Sequence, residues 1–412
     1  MELRGACIFG QSGGPTAVIN ASAYGVFDEA LKSGCITRVL GAAHGIKGVL
    51  NEQLYDIGAE DPSELALLRS TPSSALGSCR YKLKNPEDDD ADYRRLLEVF
   101  RKYDVRYFFY NGGNDSMDTC NKVSKYLQKV NYECRVLGVP KTIDNDLAGT
   151  DHCPGYGSAA KYIAASCAEI ALDAMVYDTG AVTIAECMGR NAGWLTAAAS
   201  LANLQGTGPD LIYLPETAFD TERFLRDVKE VWARKHNCFV AVSEGIHDAS
   251  GVFINEYASK AGGTDAFGHK QMGGAGAYLA GLVKERMDVK TRAIEFSLLQ
   301  RCGAHLASKT DVEEAVLLGR EAVRAAVSGV TDKMVAIRRQ TGEGYRPQTA
   351  LVDLTVTANA ENLFPREWIT PDGAGIEPAF YDYALPLIQG QPDYCWQNGL
   401  PRFARLKKVL AK

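Results

Sequence analysis

Several signatures that would place a chain in a class at once are missing here. None of the 11 cysteines stands in Cys-x-x-Cys spacing, and their number is odd. Disulfides belong to oxidising compartments, so this usage predicts reduced, buried cysteines acting as small apolar residues in a cytoplasmic protein. The 6 histidines are scattered, and no Cys/His set has zinc-ligand spacing. No apolar run is long enough to span a bilayer. Met1-Glu2-Leu3-Arg4-Gly5 leads into a strand-like run without the pattern of a signal peptide. These absences argue against membrane attachment. Positive charge is not in excess: 45 Lys and Arg face 51 Asp and Glu, a formal net charge of -6. A general nucleic-acid binder needs basic patches to neutralise phosphates, so none is expected as a partner. There is no Walker A sequence, which excludes a P-loop kinase. Tandem repeats and low-complexity tracts are also lacking.

What the chain does have is an ordinary globular composition, 46% hydrophobic and 23% charged over 412 residues, enough for two or three domains with unstapled cores. Its dominant pattern is a short apolar run, a glycine-rich turn and a helical period. Strands are expected at Ala6–Phe9, Tyr107–Tyr110, Val136–Val139, Val182–Ala185, Leu211–Leu214 and Phe239–Val242. Helices are expected from Pro15, from Ser116 to Leu127, through Leu195 to Leu201, and from Glu222 to Lys235. Alternation of this kind predicts an α/β fold with parallel, covered sheets. Thr310-Asp311-Val312-Glu313 has capping-box spacing before a further helix. The acidic run Asn85–Asp92 reads as an exposed connection, and Phe403–Lys412 as a short basic amphipathic helix docked on the surface.

Ligands of open α/β sheets bind beyond the carboxyl ends of the strands, and the unusual residues fall there. Gly13-Gly14 follows the first strand, where a helix opening at Pro15 would offer N–H groups and a positive dipole end to an anion. By itself such a pair is also ordinary turn geometry. Gly112-Gly113-Asn114-Asp115-Ser116 repeats the arrangement. Asp115 and Ser116 read as helix caps too, although a carboxylate in a phosphate-binding turn would repel a substrate phosphate. Pro140-Lys141-Thr142-Ile143-Asp144-Asn145-Asp146 places two carboxylates and a lysine at a third strand end. Phosphoryl transfer needs a base for the acceptor hydroxyl and cations for the transferring group. Asp144 fits the base, Lys141 the cation, and Asp146 a ligand of Mg²⁺. A polar turn with Asx-type hydrogen bonds is the competing reading of the same segment. Met188-Gly189-Arg190 adds an arginine fork beside a glycine that allows close backbone approach.

Together these segments resemble the phosphofructokinase family, pyrophosphate-dependent type. Gly13-Gly14-Pro15, Leu76-Gly77-Ser78-Cys79-Arg80, Ser243-Glu244-Gly245 and Gln300-Arg301 match as well, in family order, to about Arg338. ATP-using members carry glycine where this chain has Asp115 and Lys141; pyrophosphate-using members carry Asp and Lys. The resemblance implies two doubly wound, Rossmann-like domains with mainly parallel sheets and the active site in the cleft between them. Residues 1–151 with about 300–355 would form the phosphoryl-donor domain, and 152–299 with about 356–412 the sugar-phosphate domain. It implies reversible, Mg²⁺-dependent phosphoryl transfer from pyrophosphate to the 1-hydroxyl of fructose 6-phosphate. Asp144 would be the base, assisted by Lys141, Asp115 and Arg190, with Asn114 and Asp146 at the metal. The implied substrate contacts are Gly13, Arg80, Ser116, Thr142, Ile143, Asp144, Met188, Gly189, Arg190, Glu244, Arg292, Leu298 and Arg301. Arg292 matches an arginine that reaches across a subunit interface, which implies a homodimer or homotetramer.

Three positions depart from the family pattern. Asn114 stands where pyrophosphate-using relatives commonly have Asp, Ala181 where they have a second cross-subunit arginine, and Leu298 where they have an aromatic or histidine. The departures admit sedoheptulose 7-phosphate as a second acceptor. An ATP-dependent kinase of the same fold and a non-catalytic sugar-phosphate-binding subunit are the alternatives; retention of Asp144 and Asp146 weighs against the latter. Gly155-Tyr156-Gly157-Ser158-Ala159-Ala160 fits a dinucleotide fingerprint, but Asp151-His152-Cys153-Pro154 precedes it instead of a strand, so it reads as a helix start.

Overall fold

The computed structural model describes residues 3–261, 274–340, 344–358 and 360–412. His269, one of the six scattered histidines, and Met1-Glu2 lie outside them. The sheet strands, in chain order, are β1 (Gly5–Gln11), β2 (Ile36–Ala42), β3 (Leu54–Asp56), β4 (Val105–Gly112), β5 (Arg135–Pro140), β6 (Val182–Cys187), β7 (Leu211–Tyr213), β8 (Cys238–Ser243), β9 (Thr291–Glu295), β10 (Lys333–Arg339) and β11 (Pro347–Asp353). The chain forms two compact units. The first comprises Met1–Ser158, Arg301–Glu361 and Gln389–Lys412; the second comprises Ala159–Gln300 and Asn362–Ile388.

The first unit is a seven-stranded sheet in the order β11-β10-β5-β4-β1-β2-β3. It is parallel from β10 through β2 and antiparallel at both edges. Alternating side chains of β1 feed two cores. Cys7 and Phe9 pack with Val26, Phe27, Leu318 and Val323 on one face. Ala6 and Ile8 pack with Leu96, Phe100, Cys120 and Val123 on the other. The chain leaves β1 for β2 on one side, and β4 pairs on the other. The carboxyl ends of β1 and β4 therefore meet at a topological switch point, where such sheets bind ligands.

The second unit has a four-stranded, fully parallel sheet, β7-β8-β6-β9. Val182, Ile184, Val240 and Val242 pack there with Phe224, Val228 and Leu279. Segment Asn362–Ile388 joins this unit through an aromatic cluster: the Trp194 ring lies 5.1 Å from Phe364, 6.0 Å from Trp368 and 5.2 Å from Tyr383.

Three expectations need correction. The helix after β1 begins at Ile19, not Pro15, because the Thr16 hydroxyl takes the N–H of Val18 at 3.2 Å and holds the chain out of helix. The capping residue of the helix Lys309–Val327 is Ser308, whose side chain accepts from Asp311 N; Thr310 is already inside it. The tail is extended rather than helical. Asp56 N donates to Val409 O, and Ala411 N to Leu54 O, each at 2.8 Å. Lys407 N and Lys408 N both donate to the Glu60 carboxylate at 2.7 Å. The sequence division placed 356–412 with the second domain; these tail contacts are why Gln389–Lys412 falls with the first unit.

Candidate active site

In the first unit, the turns after β1, β4 and β5 and the loop around Arg80 line a cavity of about 540 Å³. Gly13, Gly14, Arg80, Asn114, Asp115, Ser116, Lys141, Thr142, Asp144 and Asp146 all border it. Thus most of the expected donor-side residues come together. The turn after β4 is tight: a Cβ on Gly112 would lie 2.0 Å from Ser116 Oγ, so only glycine permits the helix Asn114–Lys129 to start there. That start puts Asp115 in its first turn, with its side chain exposed and 3.5 Å from Lys82 Nζ.

Lys141 is buried, and its ammonium donates to Gly14 O at 2.6 Å. Burial pushes its pKa down to about 8, against the opposing charges of Asp144 and Asp146. Arg301 belongs to the same unit, and its guanidinium comes within 3.2 Å of where a Gly14 Cβ would stand. An ammonium and a guanidinium thus flank the Gly13-Gly14 turn. Together they replace the helix-dipole cradle expected from Pro15, and they suit a polyanion.

Asp144 follows Thr142, whose hydroxyl accepts from Asp144 N at 3.0 Å and lies 3.4 Å from Asp144 Oδ2. The backbone then turns through Asn145 at φ 57, a left-handed conformation that Asn tolerates. Asn145 Oδ1 accepts from Cys153 N at 2.9 Å. Ile143 is buried. Asp146 is held by Asn114 Nδ2 at 3.3 Å. Burial, and then the charge of Asp144, push its pKa up to about 6. The Asn114 amide oxygen is buried with no hydrogen-bond partner among the described residues. An orphaned neutral oxygen beside a carboxylate that burial disfavours is a hard-oxygen pair of the kind Mg²⁺ takes with substrate phosphates, so these residues fit that ion.

In the second unit, Met188, Gly189 and Arg190 follow β6. Gly189 adopts φ 127, and its N–H faces Glu244 Oε1 at 3.4 Å. Met188 N donates to Gln300 Oε1 at 3.0 Å. Arg190 is exposed, and so is Leu298. Arg292 does not join this group. It pairs across from Thr183, near the opposite end of β6, roughly 16 Å from Met188 at the rise of a strand. There its guanidinium lies 3.8 Å from Asp173. Four cavity residues had escaped the sequence reading: Ser12, Tyr81, Lys82 and Glu361. Ser12 closes β1 without a motif of its own. Glu361 arrives from more than two hundred residues away and adds to the negative charge around Asp146.

The phosphofructokinase family model matches residues 7–326. The chain is 47% identical over 412 residues to the pyrophosphate–fructose 6-phosphate 1-phosphotransferase of Xanthomonas campestris pv. campestris, covering 98% of this chain and 97% of the relative. It is 45% identical over 405 residues to the enzyme of the same name from Halomonas elongata, covering 97% and 96%. Its structure resembles the crystal structure of a pyrophosphate-dependent phosphofructokinase from Nitrosospira multiformis, with a TM-score of 0.90, 41% identity, and coverage of 99% and 98%.

Proposed function

The chain belongs to the phosphofructokinase family, and we propose that it transfers a phosphoryl group reversibly from pyrophosphate to the 1-hydroxyl of fructose 6-phosphate. The products are fructose 1,6-bisphosphate and phosphate, a step of glycolysis and gluconeogenesis. The names of its relatives support this reading. The observation that carries it is the gathering of Asp115, Lys141 and Asp144 around one cavity. The α-phosphate of ATP would meet the negative charge of Asp115, whereas pyrophosphate ends before it. Lys141 stands where the departing phosphate needs a cation.

Asp144 takes the proton of the 1-hydroxyl. The oxygen bonds to the distal phosphorus as the bond to the bridging oxygen breaks, and the electron pair leaves on phosphate beside Lys141 and Arg301. Asp146 and Asn114 would hold Mg²⁺, which supplies neutralisation of the diphosphate charge. Arg80, Gly13 and Ser116 serve the donor. Thr142 and Ile143 shape the acceptor position; Met188, Gly189, Arg190 and Glu244 serve the sugar phosphate, and Arg301 is a further phosphate contact. Arg292, remote from Met188 in its own chain, serves a second copy in a homodimer or homotetramer. Sedoheptulose 7-phosphate is a second acceptor favoured by one observation: Leu298 presents an exposed aliphatic side chain where an aromatic or histidine would have shaped the acceptor end.

The test is turnover of purified protein with Mg²⁺ and fructose 6-phosphate, comparing pyrophosphate with ATP. Turnover with pyrophosphate is expected. Robust use of ATP without pyrophosphate would sink the donor assignment. Substituting sedoheptulose 7-phosphate in the same assay decides the second acceptor.

A further inference from the structure

Behind the catalytic loop lies a buried ionic cluster that the reaction above does not use. His152 is 1% exposed and is gripped from both sides: Nδ1 lies 2.8 Å from Asp151 Oδ1, and Nε2 lies 2.7 Å from Glu314 Oε2. Arg339 also grips Asp151, Nε donating to Oδ2 at 3.2 Å and Nη2 to Oδ1 at 3.1 Å, and its guanidinium stacks 4.9 Å from the Tyr345 ring centre. The Tyr345 hydroxyl donates to Glu314 Oε1. With His152 protonated, two cations meet two carboxylates among the described residues, and such pairing is how buried charge is tolerated.

What this cluster holds is the segment from Asp151 to Gly155, and that segment holds the catalytic loop. Thr142 N donates to Pro154 O at 3.3 Å, and Cys153 N to Asn145 Oδ1 at 2.9 Å. Thr142 and Gly155 also form a parallel β-bridge. Asp144 sits between these ties, next to the left-handed Asn145. Asp311, one helical turn before Glu314, fixes the far end by accepting from Gly155 N and Ser158 N, each at 2.9 Å. Residues three apart on a helix share a face, so the single helix Lys309–Val327 grips both ends of the segment.

We propose that His152, clamped between Asp151 and Glu314, is a positioning residue: the cluster fixes the backbone that aims the Asp144 carboxylate. The kinetic side of this inference rests on the functional reading above. The tests are His152→Gln and Glu314→Gln in the full chain, with turnover in pyrophosphate and hydrogen exchange of the peptides spanning 142–155 measured side by side. Displacement of a reacting group by about 1 Å can cost roughly 100-fold. Accordingly kcat is expected to fall about 10- to 100-fold while both KM values stay within about twofold. Exchange at Thr142 and Cys153 is expected to accelerate. Should either variant fail to fold, Tyr345→Phe removes one hydrogen bond and no charge, and a smaller change in the same two readouts is expected. Folded variants with wild-type kcat would overturn the inference. So would a fall in kcat with exchange of 142–155 unchanged. Exchange needs no turnover, so an inactive wild-type protein would defeat the functional reading and leave the positioning arm decided on its own.

Discussion

Lys141 is buried and Asp146 half-buried around one cavity, and desolvation moves their pKa values in opposite directions: the ammonium down to about 8, the carboxyl up to about 6. Each is held in surroundings that disfavour its charged form, and a bound polyanion with its cation would reverse both effects. Asp144 is the group proposed to meet the acceptor. Asp144→Asn is expected to lower kcat by about 10²–10⁴, the range for loss of a general base, and steady-state kinetics with pyrophosphate check it. The double change Asp115→Gly with Lys141→Gly should abolish pyrophosphate turnover while leaving the far-ultraviolet dichroism of the fold intact. Asn114 offers the metal a neutral oxygen, so Asn114→Asp is expected to reduce the Mg²⁺ concentration for half-maximal rate. A calorimetric titration of Mg²⁺ in the presence of pyrophosphate gives an independent measure. All these residues were legible in the sequence because each lies within a few positions of a strand's carboxyl end, where local pattern and site coincide. Glu361 was not, since it reaches the cavity through a bridge to Leu147 that no local pattern announces.

The tail illustrates how an element escapes a sequence reading. Phe403–Lys412 has charges spaced so that a helix period and a two-residue period both fit. The structure chooses extension because Ala404 and Leu406 reach one core while the backbone pairs with Leu54 and Asp56. Glu60 is buried and accepts two tail N–H groups. Glu60→Ala leaves both donors unpaired. It is expected to cost about 2 kcal/mol, within the range for an unsatisfied buried hydrogen-bond partner, and urea unfolding measures it. Faster tryptic cleavage at Arg405 or Lys407 is expected alongside. The same logic separates the strands that were read from those that were missed. β1, β4, β5, β6, β7 and β8 carry buried apolar runs that can be read, whereas β2 went unread because exposed Thr37 and half-buried Arg38 interrupt its run. The edge strands β3, β9 and β11 are short or half-exposed, with no such run to find. β10 is paired on both sides yet ends in charge, because Lys333 and Arg339 leave the core for Asp353 and Asp151.

At the scale of the molecule, stability should depend on pH through the cluster that holds the catalytic loop. Burial alone would push the His152 imidazole down. The charge of Glu314, together with hydrogen bonds to Asp151 and Glu314, outweighs it and raises the pKa from 6.5 to about 9. A histidine whose folded pKa exceeds its unfolded value stabilises the fold fully below the unfolded pKa and loses that contribution as pH rises to the folded one. A displacement of this size corresponds to on the order of 3 kcal/mol. The other large displacements fall elsewhere. Asp311 and Asp146, both raised to about 6, cost stability as pH climbs from 3.8 towards 6. Asp151, lowered by its contacts with His152 and Arg339 against its burial, loses its contribution only below 3.8. Lys141, lowered to about 8, acts in the opposite sense to His152, adding stability as pH rises from about 8 to 10.5. The window from pH 6.5 to 8 therefore reports His152 with least interference. Across it, the denaturant midpoint of the wild-type protein is expected to fall steadily with rising pH, and that of His152→Gln to stay flat. Parallel slopes in the two proteins would show that the imidazole between Asp151 and Glu314 carries no charge in the folded state, and the ion pairing of His152 with these two carboxylates would have to be redrawn.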